Sequence, residues 1–229
     1  MLFRICCFVA LLQLVAADCD ATTQAAIVQC YTPFLHYYGL TPVNGTLPPY
    51  NFVETAMSNK FDQQGRQAAQ DMCAHSRVLN SCLNATMYPI DYNCYNHIVV
   101  GKNNSESYLY QAEIATRDYE CGAGAQIFFD EFYCIRATQA NQADKIQQCR
   151  TDLEHDLHGM QLCDAFNKFI SCNSLIYAKA CDYNAGVLIC NIFKYTGDTY
   201  YEYCQGKGQR AACPNYRVNP KFLMHKNLM

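Results

Sequence analysis

Tryptophan is absent from this chain, and so are the short motifs that mark common catalytic machinery. There is no nucleophile elbow of the G-x-S-x-G type, no H-E-x-x-H pair and no P-loop. Excess positive charge is missing as well. Seventeen Lys and Arg face 20 Asp and Glu, which gives no reason to expect nucleic acid as a partner. Past residue 17 no run is long or apolar enough for the roughly 20 residues of a membrane-crossing helix, so no membrane span is expected. The C-terminal stretch from Lys221 to Lys226 mixes Lys221, His225 and Lys226 with apolar residues and lacks the hydrophobic end of a lipid-anchor signal.

The one long apolar run lies at the N-terminus. Arg4 precedes Ile5 to Val15, broken only by Gln13, and Val15-Ala16-Ala17 supplies the small residues a signal peptidase reads. Residues 1–17 are therefore expected to be a signal peptide, with a mature chain starting at Asp18. Without Arg4 the charge becomes 16 basic against 20 acidic residues, or −4.

Of the 16 cysteines, Cys6 and Cys7 would leave with the leader. Fourteen remain: Cys19, Cys30, Cys73, Cys82, Cys94, Cys121, Cys134, Cys149, Cys163, Cys172, Cys181, Cys190, Cys204 and Cys213. An even number at this density in an exported chain reads as a disulfide framework, and it predicts up to seven bridges. Sequons at Asn44-Gly45-Thr46, Asn84-Ala85-Thr86 and Asn103-Asn104-Ser105 fit the same extracellular compartment. Asn44, Asn84 and Asn103 are thus candidate N-glycosylation sites, all in the first half. An even cysteine count permits a monomer without a free thiol and does not require one, so oligomeric state stays open.

The cysteine intervals hint at internal order. Cys73, Cys82, Cys94 and Cys121 are separated by 8, 11 and 26 residues, and Cys163, Cys172, Cys181 and Cys204 by 8, 8 and 22. If Cys19 and Cys30 correspond to Cys134 and Cys149, the chain holds two six-cysteine modules, residues 18–121 and 122–213, with Cys190 and Cys213 as an extra bridge and residues 214–229 as a tail. One continuous domain is the alternative.

Hydrophobic periodicity points to helices. Cys149, Leu153, Leu157, Met160, Cys163, Phe166 and Ile170 recur at steps of three and four, predicting one long amphipathic helix over 148–172, bent near Gly159. Shorter helical patterns run over 123–138 through Phe128, Phe132 and Ile135, and over 67–83 through Met72, Leu79 and Leu83. Asp182 or Asn184 is placed to cap a further helix through Val187 to Phe193. Residues 98–110 and 194–203 have turn-forming centres between apolar or tyrosine flanks and read as possible hairpins. Residues 39–50, with Gly39, Pro42, Gly45, Pro48 and Pro49, read as a surface loop. The expected fold is mainly α, a disulfide-stapled helical bundle with at most a small β-hairpin.

Two clusters could carry chemistry. His155 and His158, among Asp152, Glu154 and Asp156, stand one helical turn apart and could share a metal. Their phase puts them on the solvated face, so no metal, cofactor or catalytic residue is expected. Eighteen tyrosines, dense at Tyr37-Tyr38 and Tyr200 to Tyr203, suit either a protein-contact surface or a core with wet edges. A basic group at Lys207, Arg210, Arg217, Lys221 and Lys226 reads as a solvated tail.

Cys121, Phe128, Phe132 and Cys134, followed by Cys149, Cys163, Phe169, Cys172 and Cys181, resemble the secreted cysteine-rich modules of nematodes and other invertebrates. These include the twelve-cysteine extracellular domain of unknown function and the chondroitin-proteoglycan core-protein domain. The resemblance implies an extracellular module without catalysis. The 42-residue gap after Cys30 departs from that pattern, and no Ser-Gly run suited to chondroitin attachment is present.

The expectation is a secreted, N-glycosylated, non-enzymatic protein acting through an extracellular protein or matrix component, as structural element, ligand or toxin-like factor. A helical carrier of a small apolar ligand, with Phe128, Phe132, Phe166 and Phe169 lining a cavity, is the first alternative. A secreted hydrolase with an unrecognised site is the second.

Overall fold

The computed structural model describes residues 19–86, 92–100, 104–200 and 213. The expected signal peptide, Asn103, Cys204, the tyrosines at 201 and 203 and the basic tail residues lie outside these. Ten helices make up the described chain: α1 (Ala21–Tyr37), α2 (Tyr50–Gln64), α3 (Arg66–Thr86), α4 (Tyr92–Ile98), α5 (Asn104–Cys121), α6 (Ala125–Asp130), α7 (Phe132–Asn141), α8 (Ala143–Asp156), α9 (Leu162–Ala180) and α10 (Tyr183–Tyr200). Strand-like pairing among the described residues is limited to two isolated bridges, Val43 with Thr46 and Leu47 with Val99. The disulfide-stapled helical bundle is the fold.

Local chemistry explains where the helices start and stop. The Asp20 carboxylate accepts the Thr23 amide at 2.7 Å and satisfies one of the free N–H groups that open α1. At its other end Gly39 takes φ +74°, the Gly39 amide donates to His36 and the Leu40 amide to Leu35. This closes the last carbonyls in a Schellman turn. Asp182 caps α10, its carboxylate accepting the Ala185 amide at 2.9 Å, as its position before the apolar run predicts.

Three sequence expectations are corrected. The single helix over 148–172 is two, α8 and α9, separated at 157–161. A straight helix would place residues 149 and 172 about 35 Å apart at 1.5 Å per residue, yet Cys149 and Cys172 are disulfide-bonded with Cα atoms 5.9 Å apart. The chain must turn back between them, and Cys149 and Cys163 do not share a helix. The 123–138 helix is likewise divided at Glu131 into α6 and α7, although Phe128, Phe132 and Ile135 are all buried. Neither hairpin forms within the described residues: residues 104–110 lie in α5 and 194–200 in α10.

Six disulfides are described. Cys19–Cys94 ties the start of α1 to α4, Cys30–Cys82 joins α1 to α3, and Cys73–Cys121 joins α3 to the end of α5. Cys134–Cys181 joins α7 to the end of α9, Cys149–Cys172 joins α8 to α9, and Cys190–Cys213 anchors the chain after α10. Cys163 is disulfide-bonded as well. Each described pair closes within residues 18–121 or within 122–213. Numbered in order, the first six cysteines pair one with five, two with four and three with six. In the second set Cys134–Cys181 and Cys149–Cys172 repeat the first two of those pairings.

The two stretches nevertheless share a hydrophobic core, which runs without interruption from Ile27, Tyr31 and Leu35 in α1 through Met72 and Leu83 in α3 to Phe128, Phe132 and Leu188. Their main seam is α5 against α10. There the Thr116 and Thr196 hydroxyls meet at 3.1 Å and the rings of Tyr119 and Tyr195 stack at 5.1 Å. Helices α9 and α10 approach closely at Gly186, where a Cβ would stand 2.6 Å from the Ala178 Cβ.

Much of the first-half core is tyrosine. Tyr31, Tyr95 and Tyr110 are fully buried and pack ring against ring, Tyr50 joins through Tyr110, and Tyr38 is buried against Phe34. Tyrosine here fills a core, and the Tyr110 hydroxyl donates to the Pro48 carbonyl at 2.6 Å, whereas the buried Tyr38 hydroxyl has no partner among the described residues.

Candidate functional site

The residues singled out from sequence occupy separate parts of the surface. Asn44 is exposed in the 38–49 loop, at φ +52° beside Gly45 at +73°, and Asn84 is exposed in the last turn of α3. His155 and His158 are exposed and on different elements, since α8 ends at Asp156. Asp156 instead accepts the Lys168 ammonium at 3.3 Å. Among the described residues the one gathering of metal-ligand types is Glu131, Cys134 and Cys181, and its two sulfurs are joined to each other.

Where the two halves meet, a cleft opens with a cavity volume of about 460 Å³, within the size range of small-molecule sites. Helix α2 supplies Met57 and Phe61, α6 Phe128, α7 Phe132 and Ile135, α8 Ile146, α9 Tyr177 and α10 Leu188, Ile189, Ile192 and Phe193. These walls are apolar because each helix turns its apolar stripe inward, and the stripes of six helices do not fill the space they share. Of the four phenylalanines expected to line a cavity, Phe128 and Phe132 do so. Phe166 and Phe169 do not: they pack on each other, Phe169 sits behind Phe193 at 4.9 Å, and Phe166 lies against Gly197.

Ser58, Gln139 and Gln147 also line the cleft, so its wall is mixed, and charged groups border it as well. Glu120 and Arg117 of α5 line it from the first half, and Arg136, Arg150 and Glu54 also border it. Arg136 reaches across the halves to ion-pair with Asp62 and donates to the Ser58 hydroxyl at 3.2 Å. Arg117 is held between two carboxylates, its Nε donating to Glu113 and its Nη1 to Glu120 Oε2. The three side chains are 12%, 12% and 7% exposed for Arg117, Glu113 and Glu120. The Tyr50 hydroxyl donates to the other oxygen of Glu113, and the Tyr50 amide donates to Glu106 at 2.6 Å. Glu113 is therefore engaged through both oxygens and Glu120 through Oε2 alone.

Electrostatics follow from this arrangement. Burial pushes the Glu120 carboxyl above the usual carboxylate range, Arg117 pulls it back down, and Glu113 raises it again. The Arg117 guanidinium loses hydration on burial, but Glu113 and Glu120 more than restore its charged form. Buried ions need such partners because their desolvation cost is several kcal/mol each, of order 20 kcal/mol in the Born limit. Two carboxylates with one guanidinium leave a formal charge of −1 when both are ionised.

A trough of about 560 Å³ runs outside α8 and α9 between Lys145, Leu175 and Lys179. Only those two helices border it, so it lies open along its length. The interhelical cleft combines enclosure on several sides with a buried ionisable group, which the trough lacks.

The Glu113, Arg117 and Glu120 group escaped sequence reading. Its spacing of four and three is that of ordinary ion pairs on a solvated helix face. Only the burial of Tyr110, Thr116 and Glu120 on the same helix shows that this face points inward. No protein-family model, curated protein or solved structure matches the chain.

Proposed function

We propose that this is a secreted, non-enzymatic binding protein that carries a small, largely apolar ligand in the cleft between its two halves. One observation carries the reading: a cleft of about 460 Å³ opens where the apolar stripes of six helices converge, with charged side chains at intervals along its wall, in a chain whose core is otherwise continuous. A concave cleft of this volume whose apolar side chains face open space offers a ligand apolar area to bury. Export is supported by the disulfide framework, since such bridges persist in oxidising compartments, and by the N-terminal run that precedes Ala17. Among the described residues no helix is long and apolar enough to cross a membrane.

Action by protein contact, through exposed apolar side chains such as Phe52, Val78 and Tyr133, is the alternative reading. These are scattered over α2, α3 and α7, and scattered exposed apolar residues are ordinary on protein surfaces. The cleft favours the carrier.

The test is binding of phenylnaphthylamine, a neutral apolar fluorophore, to protein purified from culture medium. Saturable binding near one equivalent is expected, blocked by Ile146→Trp and Ser58→Trp, which project an indole into the cleft from opposite sides. Undiminished binding by both variants, each showing the near-ultraviolet circular dichroism of the parent, would overturn the reading.

A further inference from the structure

We infer that the ligand carries a basic amine, seated as an ammonium against Glu120 with its apolar body along the cleft; this rests on the carrier reading above. Three observations converge. Glu120 lines the cleft with a side chain only 7% exposed; its Oε2 accepts from Arg117, and among the described residues no group donates to Oε1, which is not sealed in the interior. Glu113 shares the same guanidinium and also accepts from Tyr50, so the group sets two carboxylates against one cation. Cations are placed differently: Arg136 is neutralised by Asp62, and Arg150 is exposed. Arg117, the cation beside Glu120 in the lining, is already held by two carboxylates, so the group as a whole turns negative charge toward a ligand.

An ammonium answers each of these conditions. It supplies up to three donors, one of them for an oxygen to which no described residue donates, it brings the group to neutrality, and its charge-assisted bond to a carboxylate is stronger than one between neutral partners. Phe128 and Phe132 line the same cleft and offer the ligand's apolar body ring surface to pack on. A carrier of this kind distinguishes an amine from an alcohol of the same shape by one atom.

Competition against bound phenylnaphthylamine by decylamine, decanol and decanoate separates the possibilities. Decylamine is expected to compete about tenfold or more better than decanol, with decanoate weakest. In Glu120→Gln the preference of decylamine over decanol should disappear while decanol competes as before, which shows that the cleft is intact. Equal competition by all three in the parent, or an amine preference that survives Glu120→Gln, overturns the amine inference and leaves the carrier reading standing. Failure of every compound and of the fluorophore to bind overturns both. Best competition by decanoate would move the polar contact to Arg150 and also overturn it.

Discussion

Tyr31 and Tyr95 meet hydroxyl to hydroxyl at 3.0 Å, with both rings fully buried and nearly perpendicular. Each phenol is the hydrogen-bond partner of the other, and burial raises the pKa of both. Tyr38, Tyr50 and Tyr110 are raised by burial too. These groups stay protonated in the folded chain where the unfolded chain ionises near pH 10, so the native state holds more protons and stability falls as pH rises past 10.

An alkaline titration followed by phenolate absorbance should therefore show two populations. Exposed tyrosines ionise first and reversibly. The core group ionises later and together with loss of near-ultraviolet circular dichroism. One smooth transition near pH 10 with the fold intact would contradict the buried cluster.

Glu120 predicts a slope at the acid end. Its folded pKa lies above the unfolded one, so its contribution is fully present below the ordinary carboxylate range and is lost as pH rises through the folded value. Glu131 slopes the same way, raised by burial and by Asp182 and Asp130. Urea unfolding at a series of pH values from 4 to 8 should show the parent losing stability relative to Glu120→Gln as pH rises. Parallel curves for the two proteins would show that Glu120 is not shifted.

Gly197 sits where a Cβ would fall 1.9 Å from the Phe166 ring. Helical propensity alone favours Gly197→Ala by about 1 kcal/mol, yet the clash forces Phe166 out of place, and overpacking of this kind costs about 1–3 kcal/mol. A net loss of stability on thermal or urea unfolding is expected. Combining Gly197→Ala with Phe166→Leu should recover part of it, because the two changes act on one contact.

A tandem duplication, proposed from the cysteine intervals, predicts the remaining bond. If the second set follows the first in pairing three with six, Cys163 joins Cys204. Peptide mapping of the unreduced protein tests this, and any other partner for Cys163 would count against a duplicated framework.

Much of the architecture was legible because burial left a periodic trace. Met72, Leu79 and Leu83 marked α3, and Asp182 marked the start of α10. The breaks inside 123–138 and 148–172 were not legible, since the apolar phase continues across Glu131 and Gly159 although the backbone turns; the disulfide geometry decides it, and sequence does not give connectivity. The hairpins were misread because Gly101 and Gly197 resemble turn centres, whereas Gly197 is small so that α10 can pass the Phe166 ring. Helix α5 hid the polar part of the cleft because its inward face carries Glu120 and Arg117 where a core helix usually carries leucine. Of the four phenylalanines that one reading of the sequence put around a cavity, Phe128 and Phe132 line the cleft, whereas Phe166 and Phe169 of α9 pack against Gly197 and Phe193 of α10.

Covalent bonds and non-covalent packing divide their labour unevenly along this chain. The described disulfides lock helices within each half, and the halves hold each other through the α5–α10 seam, the Asp62–Arg136 pair and the one strand of backbone between Cys121 and Cys134. Each half is thus internally stiff while the joint between them resembles a clasp, and the cleft lies along that clasp. Opening it by a few ångströms would not break any of the described sulfur–sulfur bonds, so covalent stiffness within the halves is compatible with movement between them.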